Sequence, residues 1–152
     1  MWRVKTAGFT LIEIVIAVTI LVLIGALLFS AFRTFSTRHT LDGAAMEVRS
    51  VLAEARAQTL ESLNDSAYGV HIQSDRLVLF KGTTYVANDA NNRTILMSSR
   101  ITLSTSLTPS GSDVLFQRLT GKATQTGTVT VTLKSDATQT RTITITQSGL
   151  SS

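Results

Sequence analysis

Cysteine is absent from the 152 residues, which removes disulfides, thiolate zinc sites, iron–sulfur clusters and a cysteine nucleophile. Histidine occurs twice, at His39 and His71, in different contexts. A zinc site would need its other ligands from carboxylates alone, so no metal is expected. No Ser/His/Asp grouping, glycine-rich phosphate loop or paired carboxylate stands out, so neither an enzymatic activity nor a cofactor is expected. His71 reads as a half-buried strand residue and His39 as an interfacial one. Proline occurs once, at Pro109, so no proline interrupts a helix ahead of it. Charged residues make up only 16% of the chain, against about 25% in ordinary soluble domains. The net charge is +4, but the basic residues are scattered singly. That describes a solvated surface better than a nucleic-acid groove.

The charge deficit is local. Residues 14–32 carry no charge, and their only polar side chains are Thr19 and Ser30. As a helix, that run of 19 residues spans roughly 28 Å, close to the hydrocarbon thickness of a bilayer. A helix apolar all round is either a membrane span or a fully buried core helix. The remaining chain holds too little apolar mass to bury it, so a single-pass membrane helix is expected. A secretory signal peptide has a shorter apolar core and a small-residue cleavage site, for which Ser30-Ala31 is a poor candidate. Glu13 stands at the head of the run. A carboxylate there is costly unless something pairs with it or it reaches the headgroups.

Gly8-Phe9-Thr10-Leu11-Ile12-Glu13, behind a short leader with Arg3 and Lys5 and ahead of an apolar span, resembles the processing motif of type IV pilins and pseudopilins. The resemblance implies cleavage by a prepilin peptidase after Gly8, methylation of the new amine on Phe9, and an assembly role for Glu13. Residues 1–8 would be a cleaved leader and residues 9–32 the membrane and assembly half of the helix. Residues 33–152 would form a globular pilin-like domain outside the cytoplasm. The local chemistry agrees with this. Glycine lies extended in a cleft without a side-chain clash, and the basic leader stays on the cytoplasmic side. Glu13 can neutralise the Phe9 amine of a neighbouring subunit and so set register. Phe9, Ile12, Ile16 and Leu23 would meet neighbouring subunits, with Gly25 allowing close approach.

Beyond the span, Leu41, Ala44, Ala45, Val48, Val51, Leu52 and Ala55 recur at three- and four-residue spacing. The pattern predicts one helix from Leu11 to Leu63, ended by Asn64-Asp65, with a break near residues 36–43 as the alternative. From Ser66 the period is two. Strands are expected at Tyr68–Ile72, Arg76–Phe80, Thr84–Val86, Val114–Phe116, Gly127–Leu133 and Thr140–Thr146. Thr94–Met97 and Arg100–Leu103 read as a further pair, and Lys134–Gln139 as a hairpin loop. The expected fold class is α+β, a long N-terminal helix packed on an antiparallel sheet. Ala55-Arg56, Tyr68-Gly69-Val70 and the segment Phe116 to Gly121 resemble the H-type pseudopilins of type II secretion and the FimT-type minor pilins.

The resemblance implies a non-enzymatic filament subunit of the bacterial inner membrane, assembled into a pilus or pseudopilus. Its partners would be other pilin or pseudopilin subunits, the prepilin peptidase and inner-membrane lipid. A DNA-binding minor pilin for uptake is one alternative, with Arg100, Arg118, Lys122 and Arg141 as the contact residues. A major pilin and a simple membrane-anchored enzyme are the others.

Overall fold

The computed structural model describes residues 8–61 and 65–151, with side chains at all of these except 29–36, 150 and 151. The leader residues Trp2, Arg3 and Lys5, and the expected helix end at Leu63-Asn64, lie outside the described residues. The chain divides into two compact units, Met1–Arg38 and His39–Ser152. A single helix, α1 (Leu11–Leu60), spans the boundary between them. It has no break at residues 36–43 and stops three positions before the expected Leu63.

In the second unit, α1 is amphipathic. Leu41, Val48, Leu52 and Ala55 are fully buried, and Ala44, Ala45 and Val51 nearly so. Asp42, Glu47 and Arg49 are exposed on the other faces. Burying a side chain the size of leucine is worth about 1.5–3 kcal/mol, so this stripe fixes the helix on its domain.

Eight strands follow: β1 (Tyr68–Ile72), β2 (Arg76–Lys81), β3 (Arg93–Leu96), β4 (Ile101–Thr108), β5 (Asp113–Leu115), β6 (Thr126–Leu133), β7 (Asp136–Thr146) and β8 (Gly149–Ser151). They form two antiparallel sheets rather than one, in the orders β3-β2-β1-β5 and β4-β6-β7-β8. One apolar cluster joins the helix stripe to both. It takes Val70, Ile72, Leu77, Leu79 and Val114 from the first sheet and Leu103, Val129, Val131, Ile143 and Ile145 from the second.

The expected pair Thr94–Met97 with Arg100–Leu103 does not form. β3 pairs with β2, whereas β4 pairs with β6 from Ile101↔Leu133 to Thr108↔Thr126. Ile101, Leu103 and Leu107 alternate into the core, which only the second sheet lets them do. Thr84–Val86 is not a strand either. Tyr85 folds back, stacks on His71 and meets Phe80 edge-on. The loop that carries it thus covers the outer face of β2. That is why Leu77, Val78, Leu79 and Phe80 are all buried in one continuous apolar run.

The expected six-residue hairpin loop contracts to Lys134-Ser135, because Leu133 already pairs with Asp136. The slack is taken up inside β7, where the register shifts. Asp136 holds this irregular stretch, accepting from the Thr138 N–H at 3.1 Å, the Thr138 hydroxyl at 2.6 Å and Gln139 Nε2 at 3.1 Å. These hydrogen bonds, the Thr138 hydroxyl first, keep its carboxyl below the usual carboxylate range. The uncharged tail supplies β8 at the edge of the second sheet.

Candidate processing and assembly segment

Gly8, Phe9 and Thr10 are exposed and lie outside the helix. A Cβ at Gly8 would meet nothing within 4 Å, so no contact inside the chain requires glycine there. Phe9 is 80% exposed. The helix starts where it does because Thr10 caps it. The Glu13 N–H donates to the Thr10 hydroxyl at 3.3 Å and to its carbonyl at 3.2 Å, and the Ile14 N–H to the same carbonyl at 3.3 Å. Thr10 and Glu13 have the spacing of a capping box, a signal that the sequence contains and that the assembly reading of Glu13 passed over. The Gly8-Phe9 bond therefore sits in non-helical backbone two residues before a capped helix. Glu13 lies in the first turn, where the helix dipole favours a carboxylate. It has no ion-pair partner among the described residues.

Leu11–Leu28 has a mean hydropathy of 3.0, and none of it is buried. Ile12, Ile16 and Leu23 are each more than half exposed. The Thr19 hydroxyl donates to the Val15 carbonyl at 2.8 Å, which satisfies it within its own helix. A Cβ on Gly25 would meet nothing within 4 Å. The segment is a long apolar surface whose cover must come from lipid or from other molecules.

Of the residues named for nucleic-acid contact, two are engaged in ion pairs and two are exposed. Arg141 Nε donates to Asp42 at 2.7 Å, and Arg118 pairs with Asp65. Lys122 and Arg100 are exposed on separate turns. Arg56 is half-buried and donates to the Gly121 carbonyl at 3.0 Å. It thereby ties the 117–122 turn to the helix. Gly121 has φ +61, a left-handed conformation that favours glycine. At Gly69 the reason is space, since a Cβ would fall 2.5 Å from Phe80 Cζ. His71 is half-buried with its Nδ1 hydrogen-bonded to Asp113. His39 is exposed on α1.

Residues 3–29 match the family description "Prokaryotic N-terminal methylation motif". No curated protein matches the chain in sequence. The fold is similar to the crystal structure of the type IV minor pilin FimU of Pseudomonas aeruginosa strain PAO1. The TM-score is 0.57 at 16% identity, over 77% of this chain and 90% of that one. The chain thus carries a prokaryotic N-terminal methylation motif at the head of an apolar helix, and its fold is similar to that of a type IV minor pilin.

Proposed function

We propose that this chain is a non-enzymatic minor pilin or pseudopilin, a subunit of a type IV pilus or type II secretion filament. It is cut after Gly8 by a prepilin peptidase, methylated on Phe9 and held in the inner membrane by residues 9–32 until it assembles. Residues 33–152 form its domain outside the cytoplasm. One observation carries the reading: a non-helical, exposed Gly8-Phe9 junction immediately precedes a capped, wholly uncovered apolar helix. The fold similarity to a type IV minor pilin favours the pilus. The local pattern around Tyr68 and Phe116 favours an H-type pseudopilin. Both readings give the same processing and the same partners, namely other pilin-like subunits and inner-membrane lipid.

Glu13 has a specific part in this. Its carboxylate is unpaired among the described residues and stands four positions after the Phe9 amine. In a packed bundle of such helices it neutralises the amine of a neighbour, and the pair fixes register.

Intact-mass measurement tests the processing. Protein from a host with a prepilin peptidase should begin at N-methylated Phe9, and Gly8→Val should remain at precursor mass. Retention of Met1 in the wild type, or a cut near Ala31, contradicts the reading.

A further inference from the structure

Tyr85 is held more firmly than a loop residue needs to be. Its ring stacks on the His71 imidazole with centroids 3.9 Å apart and planes 4° from parallel. Phe80 packs against it edge-on at 5.8 Å. His71 is itself fixed, because its Nδ1 is hydrogen-bonded to Asp113 across the β1–β5 pair. Asp113, His71 and Tyr85 thus form a chain of contacts that immobilises an aromatic ring whose own residue stays half-exposed.

That ring lines a cleft of about 350 Å³ at the outer face of the first sheet. Gln73, Asn88, Asn92 and Thr94 line it with amides and a hydroxyl, the Asn92 amide donating to the Val86 carbonyl at 2.8 Å. Gln73 also lines a second, polar cleft of about 460 Å³, together with His71. The charged groups are already answered. Arg76 makes a two-pronged pair with Asp75, Nε to Oδ1 at 3.0 Å and Nη2 to Oδ2 at 2.7 Å. Asp89 Oδ1 accepts from the Asn91 N–H and side-chain amide at 2.8 and 2.9 Å.

We infer that the Tyr85 cleft binds a neutral saccharide. Planar amides and a hydroxyl offer both donors and acceptors to sugar hydroxyls. A fixed aromatic ring offers a flat apolar surface to the C–H face of a pyranose at little cost in side-chain entropy. The volume lies at the lower end of ordinary ligand sites, about 300–1,000 Å³, which suits one or two sugar rings. An anionic ligand fits less well. Arg76 is the cleft's cation and is taken by Asp75, while Asp89 adds negative charge. A nucleic-acid strand would find a base platform there, but the cation lining the cleft, Arg76, is paired with Asp75. The inference goes beyond the filament role and does not depend on processing or assembly.

Saturation-transfer NMR on the full chain tests it, in a zwitterionic detergent that carries no sugar headgroup. The probes are lactose, maltose and the N-acetylglucosamine disaccharide, with a thymidine oligonucleotide as the competing class. At least one disaccharide should give a saturable signal, strongest on the ring C–H protons. Tyr85→Ala should weaken it about tenfold or more, and Tyr85→Phe should keep it within about threefold, because the ring face carries the contact. Thr94→Arg fills the cleft from an exposed position on β3 and should abolish binding without unfolding, which keeps the test valid if Tyr85→Ala misfolds. The inference is overturned if none of the three sugars gives a saturable signal with folded protein, or if Thr94→Arg leaves binding unchanged. It is also overturned if the oligonucleotide alone binds in a Tyr85-dependent way.

Discussion

At the scale of single residues, the positions that matter divide by how local their chemistry is. The methylation motif that residues 3–29 match was legible because it is contiguous in the chain. Thr59 was not legible. It follows the apolar stripe at Ala55 with helical spacing, but it is polar and reads as a surface residue. In the structure it is fully buried. Its hydroxyl donates to the Ala55 carbonyl at 2.8 Å and accepts from the Tyr68 N–H at 3.0 Å, which ties the end of α1 to the start of β1. Thr59→Val keeps the shape and removes that acceptor. It should cost about 1–3 kcal/mol in denaturant unfolding of the full chain. An unchanged midpoint would show that the hydroxyl does not hold this junction. Tyr85 was misread for a related reason. A β-forming aromatic between Thr84 and Val86 looks like a strand until its cross-sheet partners are known, and His71 and Phe80 lie elsewhere in the chain.

Among elements, α1 was the easiest to read and the sheets the hardest. Every residue of the stripe from Leu41 to Ala55 is buried, because helical periodicity is a local property that a core only needs to accept. Sheet membership is not local. Nothing in residues 94–103 says that β3 joins β2 while β4 crosses to β6; that depends on which face each strand can bury. The two-residue turn at Lys134-Ser135 was hidden by the irregular stretch that follows it, which Asp136 stabilises through side-chain hydrogen bonds no period reveals. The stripe's own contribution can be measured. Leu52 is fully buried where the helix meets both sheets. Leu52→Ala should destabilise the domain by about 2–5 kcal/mol, read as a drop in the urea midpoint by far-ultraviolet circular dichroism. A change below about 0.5 kcal/mol, the range of ordinary surface substitutions, would mean that the helix is not packed as described.

Across the whole molecule, two surfaces face outward, and they differ in kind. Four of the domain's arginines are answered within it: Arg141 with Asp42, Arg118 with Asp65, Arg93 with Glu54 and Arg76 with Asp75. Affinity for DNA is therefore expected to be weak. Fluorescence anisotropy of a labelled duplex with the full chain in detergent, at physiological salt, should give a Kd weaker than roughly 1 µM, the edge of ordinary non-specific binding. Tighter binding would bring the uptake reading forward, with Arg100 and Lys122 the first residues to neutralise.

The second surface is the apolar segment Leu11–Leu28, and the central claim is that other subunits cover it in register through Glu13. Crosslinking between membrane-embedded subunits, run beside a processing blot, tests this with Glu13→Val and Glu13→Gln against wild type. Both variants should insert and be cut after Gly8, yet fail to crosslink to partner pilins. Removing one member of a buried pair costs about 3–5 kcal/mol, less near the headgroups, and even about 1.4 kcal/mol per contact is tenfold in each addition step. Glu13→Gln separates charge from shape, since it keeps the size of the side chain and loses only its ability to neutralise an amine. The account predicts that neither variant joins filaments. Wild-type crosslinking by both would contradict it and leave residues 9–32 as a membrane anchor.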